Sequence, residues 1–249
     1  MTTSYPSVDI VIPVLNEEVA LPGCIARLRE FLPAAIPNPY RIVIADNGSD
    51  DRTQEIGLRM AAELPDVGYI RLEQRGRGRA LKRAWQESSA GILSYMDVDL
   101  STDIKAFPLM VKALEQGAHV AYGSRLARGA RVYKRRLKRE VTSRGYNVLI
   151  KLLFWSRFSD AQCGFKAITH PAAQAILPHI KDNAWFFDTE LLLIAEKRGF
   201  KLAGVPVTWT DDPDTRVRIL RTAWEDVKGL LRLRFGGIPG VERPHKPRA

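Results

Sequence analysis

The first half of the chain alternates short apolar runs, rich in β-branched residues, with longer segments of helical periodicity. Continuous apolar strands separated by helices are typical of a parallel sheet that is covered on both faces. The alternation therefore predicts a doubly wound α/β fold, with Asp50 as the N-cap of the second helix. The predicted strands are 8–13, 41–45, 67–72, 92–96 and 118–123, and the predicted helices are 18–32, 52–64, 78–89 and 104–116.

The alternation ends after residue 125. From there the pattern predicts helices at 146–158, 187–197 and 217–235 and a strand at 201–209, with a stretch containing Gly and Cys after the first helix. No repeat or linker interrupts residues 1–235, so we expect a single domain there. Residues 236–249 are rich in Pro, Gly and Arg, and we expect them to form a disordered tail.

The net charge of +10 is concentrated in one segment of the sequence. Residues 125–157 contain eleven Lys or Arg and one acidic residue, whereas the rest of the chain has 27 basic and 27 acidic residues. Such a patch on an otherwise neutral protein indicates an anionic partner. Nucleic acid is one candidate, and an anionic membrane surface is the other. The sequence contains no nucleic-acid reader motif, which favours the second and predicts no nucleic-acid partner.

Other features predict where the protein works. The chain has two cysteines, Cys24 and Cys163, so no disulfide framework is expected and a reducing cytoplasm is favoured. Residues 1–7 do not have the basic-then-apolar pattern of a signal peptide. No run approaches the ~20 apolar residues that a membrane-spanning helix needs. We therefore expect a cytoplasmic protein.

Polar residues follow the predicted strands at the sheet edge where open parallel sheets bind ligands. Asn16-Glu17-Glu18 follows the first strand, and Asp46-Asn47-Gly48-Ser49 follows the second. Asp97-Val98-Asp99 follows the fourth strand. Alternate carboxylates at a strand end suit a single Mg²⁺ or Mn²⁺ ion, because these hard cations prefer oxygen ligands.

A glycine-flanked arginine, Gly76-Arg77-Gly78, follows the third strand. It is not a dinucleotide fingerprint, because such a fingerprint follows the first strand and Leu81 fills the position of its third glycine. At the start of a helix, this turn predicts that backbone N–H groups hold a diphosphate.

These motifs, in this order, resemble those of the family 2 glycosyltransferases. Three later segments resemble the dolichyl-phosphate glucosyltransferases, with the dolichyl-phosphate mannose synthases as near relatives. The resemblance spans about residues 8–235 and implies the GT-A fold, a Rossmann-like and mostly parallel sheet with helices on both faces. The early motifs are Pro13-Val14-Leu15-Asn16-Glu17, Asp46-Asn47-Gly48-Ser49, Gly76-Arg77-Gly78, Asp97-Val98-Asp99 and Gly123-Ser124-Arg125, and the later segments are 160–166, 185–192 and 207–210.

The resemblance also implies a role for each matching position. The implied donor-binding residues are Pro13, Val14, Asn16, Glu17, Asp46, Arg77, Asp97, Val98, Asp99 and Arg216. The residues implied to bind the acceptor phosphate are Arg125, Arg139 and Ser143. The implied metal ligands are Asp97, Asp99 and Ser101, the last standing where the mannose synthases have a glutamine. The residues implied in catalysis are Asp97, Asp99, Arg125 and Asp188. Asp188 or Glu190 positions the acceptor or the sugar, or else both are helix-start carboxylates.

The implied reaction is inverting transfer of a hexose from a nucleoside-diphosphate sugar to a polyprenyl or dolichyl phosphate, with Mg²⁺ or Mn²⁺. UDP-glucose is the favoured donor and GDP-mannose the other. A transferase with a different lipid or soluble acceptor is one alternative, and a basic nucleic-acid-binding protein is the non-enzyme alternative. The amphipathic segments 146–158 and 217–235 either pack on the core or lie in the headgroup plane, as in a peripheral protein on the cytoplasmic face of the membrane.

Overall fold

The computed structural model describes residues 5–134, 137–210 and 219–241, with the backbone alone for 137–139 and 219–221. The strands are β1 (Val8–Val14), β2 (Tyr40–Asp46), β3 (Val67–Arg71), β4 (Ile92–Met96), β5 (Val120–Ser124), β6 (Arg131–Tyr133), β7 (Phe165–Thr169), β8 (Leu202–Pro206) and β9 (Thr208–Thr210). The helices are α1 (Ala20–Ala35), α2 (Thr53–Glu63), α3 (Arg77–Glu87), α4 (Phe107–Glu115), α5 (Leu137–Phe154), α6 (His170–Ile176), α7 (Phe187–Lys197) and α8 (Ile219–Gly236), with 3-10 turns at Ile104–Ala106 and Leu177–His179.

Seven strands form one sheet in the order β3-β2-β1-β4-β7-β5-β8. The pairs β1–β2, β1–β4, β2–β3 and β5–β8 are parallel, whereas β7 runs antiparallel to both of its neighbours. The short strands β6 and β9 form a separate parallel pair. The mostly parallel α/β sheet predicted from the sequence is confirmed, and β1, β2, β4 and β5 end at the same edge.

Helices cover both faces of this sheet because successive strand residues point to opposite sides. In β1, Ile10 and Ile12 pack into a core cluster with α1 and α4. Val11, between them, packs into the other cluster, with residues of α3, α5, α7 and α8. Ile238, just beyond α8, also packs against that second cluster.

Several predicted boundaries are wrong. The stretch containing Gly and Cys includes a whole strand, β7, which the pattern missed because a lysine, Lys166, interrupts its apolar run. The helix predicted at 146–158 begins at Leu137 and ends at Phe154. The strand predicted at 201–209 is two strands, divided at Val207.

Asp50 is not the N-cap of α2. Arg52 stands at that position without a side-chain cap, and Oδ1 of the preceding Asp51 accepts a hydrogen bond from the backbone N–H of Thr53 at 2.9 Å. The Asp50 carboxylate instead pairs with Arg75, 3.0 Å away on the neighbouring loop. The side chain next to the expected one therefore accepts the hydrogen bond from the first N–H of the helix.

Helices α5 and α8 each have two apolar faces. Ile150 and Phe154 of α5, and Leu230 of α8, are buried in the core. Trp155, which follows α5, and Phe235 of α8 are more than 70% exposed. Within the described residues, no helix is long and apolar enough to cross a membrane.

Adjacent leucines of α8 test this division of faces. Leu230 is fully buried and Leu231 is 42% exposed. We expect Leu230→Ala to lower the free energy of unfolding by about 2–5 kcal/mol, because it leaves a cavity in the core. The matched control, Leu231→Ala, should cost less than about 1 kcal/mol. Urea denaturation measures both, and equal losses would contradict the orientation of α8.

Candidate active site

The loops after β1 and β2 are held together by side chain to backbone hydrogen bonds. Asn16 has a left-handed backbone (φ 57°), a conformation that asparagine tolerates better than most residues. Its N–H donates to Ser49 Oγ at 3.0 Å, and its Oδ1 accepts from the N–H of Asp50 at 2.9 Å. The N–H of Glu17 donates to Thr53 Oγ1 at 2.8 Å. The predicted donor residues Asn16 and Glu17 therefore lie at the sheet edge, beside the loop that follows Asp46.

Asp46 is fully buried at the end of β2. Its carboxylate accepts from Tyr69 Oη at 2.6 Å, from Arg71 Nη1 at 3.0 Å and from the N–H of Ser49 at 2.9 Å. Burial, together with the bond to Asp46, raises the pKa of Tyr69. Arg71 is not among the residues predicted for the site, although a cation at the end of β3 was a detectable signal.

The predicted donor residues of β1 lie deeper than Asn16. Pro13 is buried, and the side chain of Val14 belongs to the core cluster with α1 and α4. Val14 reaches the edge through its carbonyl, which accepts from the N–H of Asn47 at 2.9 Å.

The turn of Gly76 and Gly78 packs closely on the residues that precede α7. A Cβ on Gly76, whose φ is +152°, would lie 2.4 Å from the carbonyl oxygen of Asn183. A Cβ on Gly78 would lie 2.7 Å from Cβ of Phe187. The N–H of Gly76 donates to Asn47 Oδ1 and that of Gly78 to the carbonyl of Ala184. These two N–H groups are occupied by the protein, so they are not free to hold a diphosphate, against the expectation.

The Arg77 guanidinium lies between two carboxylates and beside two aromatic rings. Nη2 donates to Asp97 Oδ1 at 2.7 Å, and Nη1 donates to Asp188 Oδ2 at 2.9 Å. Its carbon lies 4.8 Å from the ring centroid of Tyr95 and 5.1 Å from that of Trp185. Although burial opposes the charge, the two carboxylates raise the pKa of Arg77, so the side chain is a permanent cation.

Asp188, in the first turn of α7, lies inside this network and is 4% exposed. Its Oδ2 pairs with Arg77, while Oδ1 accepts from Tyr95 Oη and lies 3.2 Å from Lys166 Nζ. Burial works to raise the pKa of Asp188, but Lys166 and Arg77 outweigh it and hold that pKa below its ordinary value. Both oxygens of Asp188 are thus bound by protein donors.

Glu190, two residues further along α7, has a separate role. It accepts from the N–H of Asp182 at 2.8 Å and from Arg232 Nη1 at 2.9 Å. It thereby ties α7 to α8.

The carboxylates of Asp97 and Asp99 follow β4 at the open edge. Desolvation and the neighbouring Asp99 raise the pKa of Asp97, against the opposing effect of Arg77. A Cβ on Gly164 would lie 1.7 Å from Asp97 Oδ2, so only glycine lets this carboxylate rest on that loop. Val98, between the two aspartates, packs its side chain against the core.

Ser101, the expected third metal ligand, is bonded to Asp99. Its N–H and Oγ donate to the two oxygens of that carboxylate at 2.9 and 2.6 Å. Across the part of the chain that the structure describes, no cluster of three or more His, Cys, Asp or Glu side chains could hold a metal ion.

A second arginine–carboxylate pair lies on the basic side of the site. Arg125 Nε and Nη2 donate to Asp160 at 2.8 and 2.9 Å, and the guanidinium lies 5.5 Å from the ring centroid of Trp209. Although burial works to raise the pKa of Asp160, Arg125 lowers it below its ordinary value. Arg125 and Asp160 therefore form an ion pair that holds the guanidinium in one orientation.

Ser143, on α5, is connected to this pair through the backbone. Asn147 donates to the carbonyl of Ser143 at 2.9 Å and accepts from the N–H of Ala161, next to Asp160, at 3.1 Å. Oγ of Ser143 is buried with no hydrogen-bond partner among the described residues. The side chain of Arg139 and the whole of Arg216 lie outside the described residues.

A sheet of this topology, with an aspartate pair at the end of β4 and an arginine beside it, is that of a glycosyltransferase with the GT-A fold. Residues 9–177 match the model of glycosyl transferase family 2, and the chain belongs to that family. It is therefore an enzyme.

Two relatives are similar to this chain over most of its length. Glycosyltransferase AglD of Haloferax volcanii is 37% identical over 235 residues, which cover 92% of this chain and 36% of that protein. The dolichyl-phosphate beta-glucosyltransferase of Dictyostelium discoideum is 28% identical over 246 residues, covering 94% of this chain and 75% of that protein. The chain thus spans about a third of the first relative and three-quarters of the second.

Solved structures show the same fold. Glucosyl-3-phosphoglycerate synthase from Mycobacterium tuberculosis, in complex with UDP, matches with a TM-score of 0.69 at 19% identity, covering 96% of this chain and 82% of that one. The same synthase in complex with Mn²⁺, UDP and phosphoglyceric acid also gives a TM-score of 0.69, at 17% identity, covering 96% of this chain and 80% of that one.

Asp226, on α8, is a carboxyl group that makes the stability of the protein depend on pH. Its Oδ2 accepts from Gln162 Nε2 at 2.7 Å, and its Oδ1 is buried with no partner among the described residues. Burial, reinforced by Asp182 and Asp188, raises the pKa of Asp226 to about 7. In the unfolded chain the pKa of an aspartate is about 4. The protonated carboxyl of Asp226 therefore stabilises the fold fully below about pH 4, and this stabilisation is lost as the pH rises through about 7.

We therefore expect the free energy of unfolding to fall from pH 5 to pH 8 by roughly 3 kcal/mol more in the wild type than in Asp226→Asn. Urea denaturation at the two pH values measures the difference. Glu225→Gln, at the adjacent position, is the matched control and should keep most of the wild-type fall. The same fall in Asp226→Asn as in the wild type would contradict the assignment.

Proposed function

We propose that this enzyme transfers glucose from UDP-glucose to a polyprenyl phosphate such as dolichyl phosphate, with inversion at the anomeric carbon. The names of the relatives support the sugar and the acceptor, since several are dolichyl-phosphate beta-glucosyltransferases from different eukaryotes. The UDP complexes of the synthase with the same fold support the nucleotide. GDP-mannose is the competing donor.

The Asp97 and Asp99 carboxylates fit Mg²⁺ or Mn²⁺, because both ions prefer oxygen ligands and take further ligands from phosphates. The pair follows β4 at the open edge of the sheet, and the side chain of Asp97 is 43% exposed. The Mn²⁺ complex of the structural neighbour supports the same choice. A bound ion would supply positive charge against the leaving diphosphate.

The chain's own residues act on the two phosphate groups. Arg77 is a fixed cation beside Asp97 and would stabilise the charge that develops on the departing UDP. Asp160 occupies Nε and Nη2 of Arg125, which leaves Nη1 for an oxygen of the acceptor phosphate. Ser143 would offer its unpaired hydroxyl to that phosphate, and Arg139 its guanidinium.

The reaction needs no strong general base. A phosphate monoester has its second pKa near ~6, so the acceptor is largely a dianion at neutral pH. One of its oxygens attacks the anomeric carbon while the bond from that carbon to the UDP oxygen breaks, and UDP leaves with the bonding electrons. Both oxygens of Asp188 are bound by protein donors, which fits a role in orienting Arg77.

The observation that carries the lipid acceptor is the outward apolar surface of α5 and α8. Leu152 and Trp155, within the basic segment 125–157, are 72% and 86% exposed, and Trp224 of α8 is 59% exposed. Large apolar side chains next to cations suit a headgroup interface, where indole rings are enriched and basic residues attract anionic lipid. A soluble acceptor would leave this surface without a use. We therefore place the enzyme peripherally on the cytoplasmic face of the membrane.

A donor screen tests the reaction. UDP- and GDP-sugars are offered with a polyprenyl phosphate or with a soluble phosphate acceptor such as phosphoglyceric acid, and products are identified by mass spectrometry. We expect polyprenyl-phosphate glucose from UDP-glucose alone. Transfer from GDP-mannose, or to the soluble acceptor only, would overturn the proposed donor or acceptor respectively.

Removing one charge from the aspartate pair tests the metal site. We expect Asp99→Asn to lower turnover by about 100-fold or more, because the ion loses a ligand, while the melting temperature stays near that of the wild type. Asp103→Asn is the matched control, since Asp103 caps the following 3-10 turn, where asparagine serves equally well. Full activity of Asp99→Asn, or of the wild type in excess chelator, would contradict the metal assignment.

Flotation with liposomes tests the membrane surface. We expect the wild type to float with vesicles that contain phosphatidylserine at low salt and less at high salt, because salt screens the attraction. The double variant Leu152→Ser/Trp155→Ser should lose most of this binding. Leu109→Ser, at an exposed leucine of α4, is the control and should bind like the wild type. Equal recovery with neutral and anionic vesicles, or an unaffected double variant, would contradict the model.

A further inference from the structure

Lys166 is a buried lysine near the start of β7, and the reaction described above does not use it. It is 1% exposed. Its Nζ lies 2.7 Å from the carbonyl oxygen of Cys163, 3.0 Å from that of Ala161, 3.3 Å from Tyr95 Oη and 3.2 Å from Asp188 Oδ1. An ammonium this deep is costly unless oxygens surround it, and here they do.

Two of these oxygens belong to the acceptor side of the site. The carbonyls of Ala161 and Cys163 lie in the turn that follows Asp160. Asp160 is the carboxylate that fixes Arg125 through two hydrogen bonds. Lys166 therefore holds the turn from which the orientation of Arg125 is set.

The other two oxygens belong to the donor side. Asp188 accepts from both Lys166 and Tyr95 on Oδ1, and its Oδ2 holds Arg77 at 2.9 Å. Arg77 in turn holds Asp97 at 2.7 Å. Positive and negative groups alternate from Lys166 through Asp188 to Arg77. A loss of charge at Lys166 therefore changes the electrostatic surroundings of Arg77, the cation that faces the diphosphate.

We infer that Lys166 is a positioning residue that aligns the donor and acceptor sides of the site. The inference rests on the proposed function, which assigns Arg77 to the donor diphosphate and Arg125 to the acceptor phosphate. Without the ammonium, two carbonyl oxygens and the Asp188 carboxylate face one another with no shared donor, and they move apart. The turn at 161–163 and Asp188, which holds the Arg77 guanidinium, are then no longer joined by one side chain.

The test replaces Lys166 with methionine, which has a similar length and no charge. We expect Lys166→Met to bind UDP with Mn²⁺ about tenfold more weakly by calorimetry, and to raise the KM for both substrates. Leu28→Ala, at a buried leucine of α1, is the control for lost stability. It should lower the melting temperature without changing UDP affinity or either KM. Unchanged UDP affinity and KM values in Lys166→Met would overturn the inference.

Two further variants keep the test decisive. Lys166→Met/Asp188→Asn restores the charge balance and should bind UDP at least about threefold more tightly than Lys166→Met alone, since the two residues act as one unit. Independent, additive losses would contradict the path through Asp188. If Lys166→Met does not fold, Tyr95→Phe removes a hydroxyl that both residues contact, and its UDP affinity should fall in the same direction. An unchanged affinity there would overturn the inference.

The outcome is separable from that of the proposed function. UDP calorimetry needs no acceptor, so a wild-type protein that binds UDP but transfers nothing to a polyprenyl phosphate contradicts the proposed acceptor alone. The comparison of Lys166→Met with the wild type then still decides the role of Lys166 on the donor side.

Discussion

The site depends on one path of alternating charges, from the buried Lys166, Asp188 and Arg77 to the half-exposed Asp97. Burying a single charge is expensive, whereas a path in which each charge meets its opposite keeps most of the lost hydration compensated. Each member therefore has little freedom to move, because a shift of one leaves its neighbour unpaired. This constraint links the end of β4 with the starts of β7 and α7.

Close backbone packing makes this path possible. The turn that precedes α3 lies against the residues that precede α7, and side chains at Gly76 and Gly78 would collide with the backbone of Asn183 and with Phe187. Gly164 serves the same purpose beneath Asp97. Glycine is required at these positions because the segments approach one another closely. The N–H groups of Gly76 and Gly78 donate hydrogen bonds to the neighbouring segments.

Sequence reasoning predicted the local parts of the fold and the edge of the site. The alternation of strands and helices up to residue 124 follows from periodicity, and helix 187–197 was placed correctly. Reasoning from pattern missed β7 because a buried lysine breaks its apolar run, and the start of α5 because basic residues hide the helical period. It also left Asp188 and Glu190 equivalent, although one lies in the charge path and the other joins α7 to α8.

The sequence by itself determined which chemical groups reach the carboxyl edge of the sheet, because parallel strands end there and their following residues must lie side by side. Only the tertiary structure decided which of those groups pair with one another. Arg77 and Asp188 are 111 positions apart, and their 2.9 Å contact depends on how the α3 and α7 layers pack. Partner choice of this kind is set by burial, since a charge excluded from water must find its opposite wherever the fold places it.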